Sequence, residues 1–203
     1  MEIAPGLMRW TAPHPEWDAR GAPGGPDDWE QTVGSVLYEL PHAVALIDPL
    51  LPSSDRASFL DWLDERIAGR PVSVLTTVRW HRRDRAELAE RYRAQTTRAW
   101  NALPAGVEQR PLRGGAETIF WLPAVATLVP GDRLIGDGDG DAGVRVCPES
   151  WLTQVRVDRA GLAALMRPLL ELPIERVLVS HGEPVLHDGR AALARALEEA
   201  SGR

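Results

Sequence analysis

At 203 residues, 44% of them apolar and 26% charged, the chain has the make-up of an ordinary globular protein, with enough length to bury a sizeable core in one domain. A formal charge of −6 argues against nucleic acid or an anionic membrane as the main partner, and no apolar run is long enough to span a bilayer. No charged start leads into an apolar signal segment, so the protein is expected in the cytoplasm. All 23 basic residues are arginines, a compositional bias from which no function follows. The lone cysteine, Cys147, excludes an internal disulfide and reads as a buried strand residue beside Val144 and Val146.

Met1 to Gln31 carries prolines at 5, 13, 15, 23 and 26, which exclude regular helix, and three indoles, Trp10, Trp17 and Trp29, which are too apolar to leave in water. Residues 1–31 are therefore expected to lie as an irregular cover on a domain that spans 1–203. Val33 to Leu40 and Ala43 to Ile47 read as two strands joined at Pro41-His42, the second leaving through Asp48-Pro49; His42 reads as solvated. Ser53 and Ser54 offer N-caps to a helix whose stripe is Phe59, Leu60, Leu63 and Ile67 and whose stop is Gly69.

Val72 to Val78 is a β-branched run suited to a buried strand. Asp84 with Glu87 three residues on is a capping-box pattern, opening a helix with Leu88 and Tyr92 on one face. Between the two elements, Arg79, Trp80, His81, Arg82 and Arg83 fall at the carboxyl end of a strand, where open α/β sheets put their ligands. Glu117 to Leu122 and Val125 to Val129 form a further strand pair around Pro123, closed by Gly131-Asp132.

Asp137, Asp139 and Asp141 then alternate with other residues as in a calcium loop. Ala142 stands where the turn glycine belongs and Pro148 where the bidentate Glu would be, so the stretch reads as a solvated acidic loop. Val144 to Cys147 resumes a strand, Gly161 to Leu172 is an amphipathic helix, and Arg176 to Ser180 is the last strand. Asp188 caps a final helix that buries Ala192, Leu193, Ala196 and Leu197. Composition and pattern by themselves give an α/β protein of one domain.

Three stretches go further: the strand-turn-helix around His81, the run Leu128-Val129-Pro130-Gly131-Asp132-Arg133-Leu134, and the late Val177-Leu178-Val179-Ser180-His181-Gly182-Glu183-Pro184. In order and spacing, from about Val33 onward, they resemble the metallo-β-lactamase-fold hydrolases. The early hairpin ending in Asp48 is similar to that family's hairpin, whose second strand ends in an aspartate near the site. The resemblance implies a four-layer αββα sandwich of two mixed sheets with helices outside.

It also implies a metal chemistry that this chain has partly lost. The family's main motif is His-x-His-x-Asp-His, and with its last histidine on His81 the other positions fall on Thr76, Val78 and Trp80. The first metal would need both early histidines and a third from a later turn; Val has no donor atom and no histidine occurs between His81 and His181, so that site is expected to be absent. For the second metal His81, Asp132 and His181 match three of four ligands, while Trp80 stands in place of the aspartate and offers no lone pair. Two imidazoles and a carboxylate can hold a single zinc or ferrous iron.

The arginines set a competing expectation. Arg82 and Arg83 precede a helix start, and guanidinium forks suit carboxylates and phosphates. The sequence therefore predicts a pseudoenzyme or binding module without a resident cofactor, its cleft lined by Arg79, Trp80, Arg82 and Arg83 and taking a small anionic molecule or a protein partner. The alternative is a mononuclear hydrolase of an ester, thioester or amide, with a zinc or iron on His81, Asp132 and His181. RNA processing, which some relatives of the fold carry out, is disfavoured by the acidic balance.

Overall fold

The computed structural model describes residues 1–22, 24–96, 103–137 and 143–202. Six strands, β1 (Glu2–Ala4), β2 (Leu7–Pro13), β3 (Thr32–Leu40), β4 (Ala43–Ile47), β5 (Val72–Leu75) and β6 (Gln95–Thr96), form one sheet in that order. The first four are antiparallel neighbours, whereas β5 runs parallel to β4 and β6 parallel to β5. The helices α1 (Arg56–Ile67) and α2 (Arg85–Arg91) make the two crossovers that parallel pairing demands. A second sheet has the order β12–β9–β8–β7, from β7 (Glu108–Leu112), β8 (Glu117–Leu122), β9 (Thr127–Val129) and β12 (Arg176–Val177), with β12 parallel to β9. A separate hairpin joins β10 (Leu134–Gly136) to β11 (Val144–Val146), and α3 (Arg159–Met166) and α4 (Gly189–Ala200) complete the chain.

Alternation of side chains along the strands sorts the apolar residues into layers. Leu37, Leu46 and Val74 point outward from the first sheet and pack with Leu63 and Ile67 of α1 and Leu88 of α2. Their neighbours Val36, Tyr38, Ala45, Ile47 and Leu75 point inward and meet Phe120, Leu122 and Val129 of the second sheet. The opposite face of that sheet, with Ile119, Trp121 and Leu128, packs against Leu162 and Met166 of α3 and Leu193 and Leu197 of α4. The result is the helix–sheet–sheet–helix sandwich that the resemblance implied.

Several local expectations are overturned. Residues 2–13 are not irregular cover but two strands of the first sheet, because Gly6 turns the chain at φ 72° and Pro13 falls only at the end of β2. Trp10 is core: it packs 5.2 Å from Phe59 and its indole N–H donates to the Leu50 carbonyl at 2.7 Å. Residues 14–22 and 24–31 do run without strand or helix.

The strand expected over 72–78 ends at Leu75, and Arg176–Ser180 contributes only a two-residue strand. The helix expected over 161–172 ends at Met166 and continues as a 3₁₀ turn, since Pro168 has no N–H to keep the α ladder. Neither Ser53 nor Ser54 caps α1, which starts after Asp55, and neither Asp84 nor Asp188 makes a capping bond. Asp84 instead accepts from the Leu51 amide at 2.6 Å and from Arg56 at 3.0 Å, tying α2 to the loop before α1. The strand Glu108–Leu112 carried no signal, its Pro111 arguing against one. Asp139 and Asp141 of the acidic loop lie outside the described residues.

Candidate metal centre

Each residue of the centre follows a strand whose partner runs parallel to it, so all are delivered to one end of the sandwich. β4 ends in Asp48, which is buried and left-handed at φ 46°. Its Oδ1 accepts the Thr77 amide at 2.9 Å, its Oδ2 accepts the Thr77 hydroxyl, and His81 Nδ1 lies 2.8 Å from that same Oδ2. A carboxylate there can only accept, so Nδ1 carries the proton and Nε2 turns to the cleft. Asp48 is thus the outer partner that fixes the ring of His81.

Asp132 stands in the turn after β9, held by a residue that no motif or spacing singles out. Glu117, on β8, accepts the amides of Gly131, Asp132 and Arg133 at 3.0, 2.7 and 2.9 Å. Glycine is required at 131, where a Cβ would come within 2.5 Å of Thr77 Oγ1 and 3.0 Å of Glu117 Oε2. His181 follows β12 and is anchored by its backbone, which bridges to Val33, and by the Gly136 amide donating to its carbonyl at 2.8 Å. Gly182, at φ 79°, packs against the Gly136 backbone so closely that a Cβ would come within 2.9 Å of it. From the N-terminal strand, Arg9 donates to the Gly182 carbonyl at 3.0 Å and steadies the same turn.

These turns bring His81 Nε2 to 2.9 Å and His181 Nε2 to 3.4 Å from Asp132 Oδ1, with one donor atom from each residue inside a 4.8 Å span. The other carboxylate oxygen, Oδ2, accepts the indole N–H of Trp80 at 2.6 Å. Asp132 Oδ1 is buried and receives no aligned hydrogen bond from either imidazole. Burial works against charge on His81, but the carboxylates of Asp132 and Asp48 outweigh it and raise its pKa to about 9. Burial likewise opposes the charge of Asp132, yet the two histidines hold it well below the usual carboxylate range. Burial and the nearby Asp132 push Glu117 up to about 7 in spite of its amide partners.

The triad opens into a cleft of about 320 Å³. Trp29 and Trp151 stand edge-on to the His181 ring, with centroids 5.6 and 5.3 Å away, and Trp80 forms another wall at 39% exposure. Sequence reading missed Trp151 altogether; for Trp29 the Trp-rich N-terminal segment was the only hint.

The five residues of the Arg79–Arg83 turn do not share one cleft. Trp80 and His81 line the cleft of the triad, Arg79 and Arg82 line a second one on the other side of the turn, and Arg83 borders both. Arg83 is moreover committed to protein: its guanidinium donates to the carbonyls of Gly34 and Asp48, both at 2.7 Å. Arg79 bonds Gln154 and lies 5.9 Å from the centroid of Trp80. Cys147 is buried against the α3–α4 layer, its thiol pushed up to about 11 chiefly by burial.

No family model and no curated protein matches the chain in sequence. Among solved structures, the fold matches VMB-1 with a TM-score of 0.69 at 10% identity over 100% of this chain and 95% of that one. It matches DIM-1 metallo-β-lactamase with a TM-score of 0.64 at 12% identity, covering 100% and 95%. An NDM/FIM-1-like metallo-β-lactamase from Erythrobacter litoralis, solved in a mono-zinc form, matches with a TM-score of 0.64 at 18% identity, covering 100% and 96%. The chain has the metallo-β-lactamase fold. At these identities the likeness is one of fold.

Proposed function

We propose that the protein is a mononuclear metal-dependent hydrolase of an ester, thioester or amide, with the ion on His81, Asp132 and His181. The observation that carries the reading is the donor set: two imidazole nitrogens and a carboxylate oxygen that converge from three turns, with Asp132 Oδ1 buried and free of any aligned hydrogen bond. Among the described residues this is the one group of three such side chains able to hold an ion. Val78 and Thr76, in the places of the family's first two histidines, supply no second site.

When bound, a zinc or ferrous ion would polarise the scissile carbonyl and bring a bound water towards ionisation at neutral pH. The chain's own residues do the rest. Asp48 keeps a proton on His81 Nδ1, so the proton that an ion would displace is the one on Nε2, facing the cleft, and the Trp80 N–H occupies Asp132 Oδ2 so that Oδ1 is left for the ion. The indoles of Trp29 and Trp151 screen His181 from water and fix its ring. Arg83 and Arg133, the cations in the wall, are spent on carbonyls, so Glu16 and Asp27 are the exposed charges there. That lining suits a neutral or cationic substrate better than a carboxylate.

A second reading has its own observation. His81 lies between two carboxylates and Asp132 already accepts from Trp80, so the cluster is close to charge-satisfied without an ion, as in a metal-free binding module. Elemental analysis separates the two, on untagged protein purified without chelator and again after incubation with zinc or ferrous iron. About one ion per chain, lost in His181→Ala, is expected; no ion under any of these conditions would leave the metal-free reading.

A further inference from the structure

The second cleft, across the Thr76–Asp84 turn from the triad, has a volume of about 900 Å³, within the range of small-molecule sites. Its walls come from the turn, the start of α2, the end of β6 and the β7–β8 hairpin; beside the half-buried Arg83 and Arg85, the cleft is lined by Arg79 and Arg82 of the turn and Arg113 of the hairpin. The last three side chains are exposed. Arg79 gives one amino group to Gln154, Arg82 uses only Nε, on the Arg79 carbonyl at 3.3 Å, and Arg113 makes no hydrogen bond or ion pair among the described residues. The one carboxylate in the lining, Glu117, is buried and turned to the amides of the Asp132 turn.

Several arginines elsewhere on the surface are paired: Arg20 with Asp18, Arg56 with Asp84, Arg70 with Glu39, Arg91 with Asp64. A chain of net charge −6 has acids to spare, yet among the described residues none stands in the exposed wall of this cleft. Guanidinium forks that line one concavity from separate elements suit the oxygens of a phosphate, which a free fork can bond bidentately.

We propose that this cleft binds a small phosphorylated molecule through Arg79, Arg82 and Arg113. The concave shape and limited volume suit a molecule of nucleotide size, and the acidic balance of the whole chain opposes a long polyanion. The site stands independently of the metal reading.

The test is calorimetric titration of the full chain with inorganic pyrophosphate, alongside citrate and a short oligoribonucleotide. The panel is wild type, the exposed double variant Arg82→Ala/Arg113→Ala, Arg20→Ala as an arginine outside the cleft, and His181→Ala. Pyrophosphate affinity is expected to fall at least tenfold in the double variant and to stay unchanged in Arg20→Ala and His181→Ala. Absence of pyrophosphate binding to wild type at millimolar concentration overturns the proposal, as does equal binding by the double variant at an unchanged melting temperature. Loss in His181→Ala alone would move the anion to the triad and overturn it too. Citrate bound as tightly would make the site one for carboxylates, and tighter binding of the oligonucleotide would make it a nucleic-acid surface; either result refutes the small phosphorylated ligand.

Discussion

The turn from Thr76 to Asp84 separates two clefts of opposite character, and neighbouring arginines go to opposite fates across it. Arg83, left-handed at φ 37°, sends its guanidinium inward to the Gly34 and Asp48 carbonyls and braces the aspartate that orients His81. Arg82, one residue earlier, stays exposed and lines the basic cleft. The lesson is that a run of like charges in sequence is not a patch in space: the backbone sign at one residue decides which charges are structural and which remain for a ligand.

The largest effect expected along this comparison is on stability. Arg83→Ala leaves two inward carbonyls without their charged donor, at roughly 1.5–3 kcal/mol for each lost bond before relaxation. For a chain of this size a loss of about 3 kcal/mol lowers the melting temperature by roughly 6–12 °C. Arg82→Ala is expected to change it by no more than the ~0.5 kcal/mol usual for exposed sites. Thermal denaturation of the two variants side by side checks this, and equal losses would erase the distinction between them.

Next in size is the orienting carboxylate. Asp48→Asn keeps the shape and weakens the acceptor for His81 Nδ1, so zinc affinity is expected to fall about 10–100-fold, the usual effect of an outer-shell partner. Competition against a chromophoric chelator measures it. Trp80→Phe is a smaller change with a more telling sign. If the indole N–H presents Asp132 to an ion, its removal weakens zinc several-fold; if the indole satisfies Asp132 in place of an ion, affinity rises, and the metal-free reading gains.

The sandwich was legible in the sequence because its central strands are buried on both faces: β4 is a continuous apolar run, and β3 and β5 are apolar at most positions. The triad was legible because Gly131-Asp132 and His181-Gly182 are glycine-marked turns after apolar strands. What escaped is what depends on long-range pairing. Nothing local shows that β2 would join an edge, that Glu117 would reach the amides of 131–133, or that Trp151 would stand beside His181. The arginine cleft was legible in part for the same reason: Arg79, Arg82 and Arg83 line it, but Trp80 belongs to the other cleft, Arg113 lies on another hairpin, and the inward turn at Arg83 follows from a single dihedral.

The remaining prediction is a pH dependence, and it separates the stripped from the loaded protein. His81 has a folded pKa of about 9, above its ordinary 6.5, so in metal-free protein the stabilisation from its two carboxylates is whole below pH 6.5 and is lost as pH rises through 9. Glu117, raised to about 7 from 4.5, acts in the same direction between those values, because the fold favours its protonated form. Asp132 acts oppositely: held low by the histidines, it stabilises above about pH 3.8 and loses that contribution as pH falls through its folded value. Chelator-stripped protein should therefore lose melting temperature from pH 6.5 to 9. Zinc affinity should climb over the same interval, since an ion must displace the His81 proton and that displacement becomes easier with each pH unit. A flat zinc affinity across the interval would mean that His81 is not a ligand, and the ion would have to sit elsewhere in the chain.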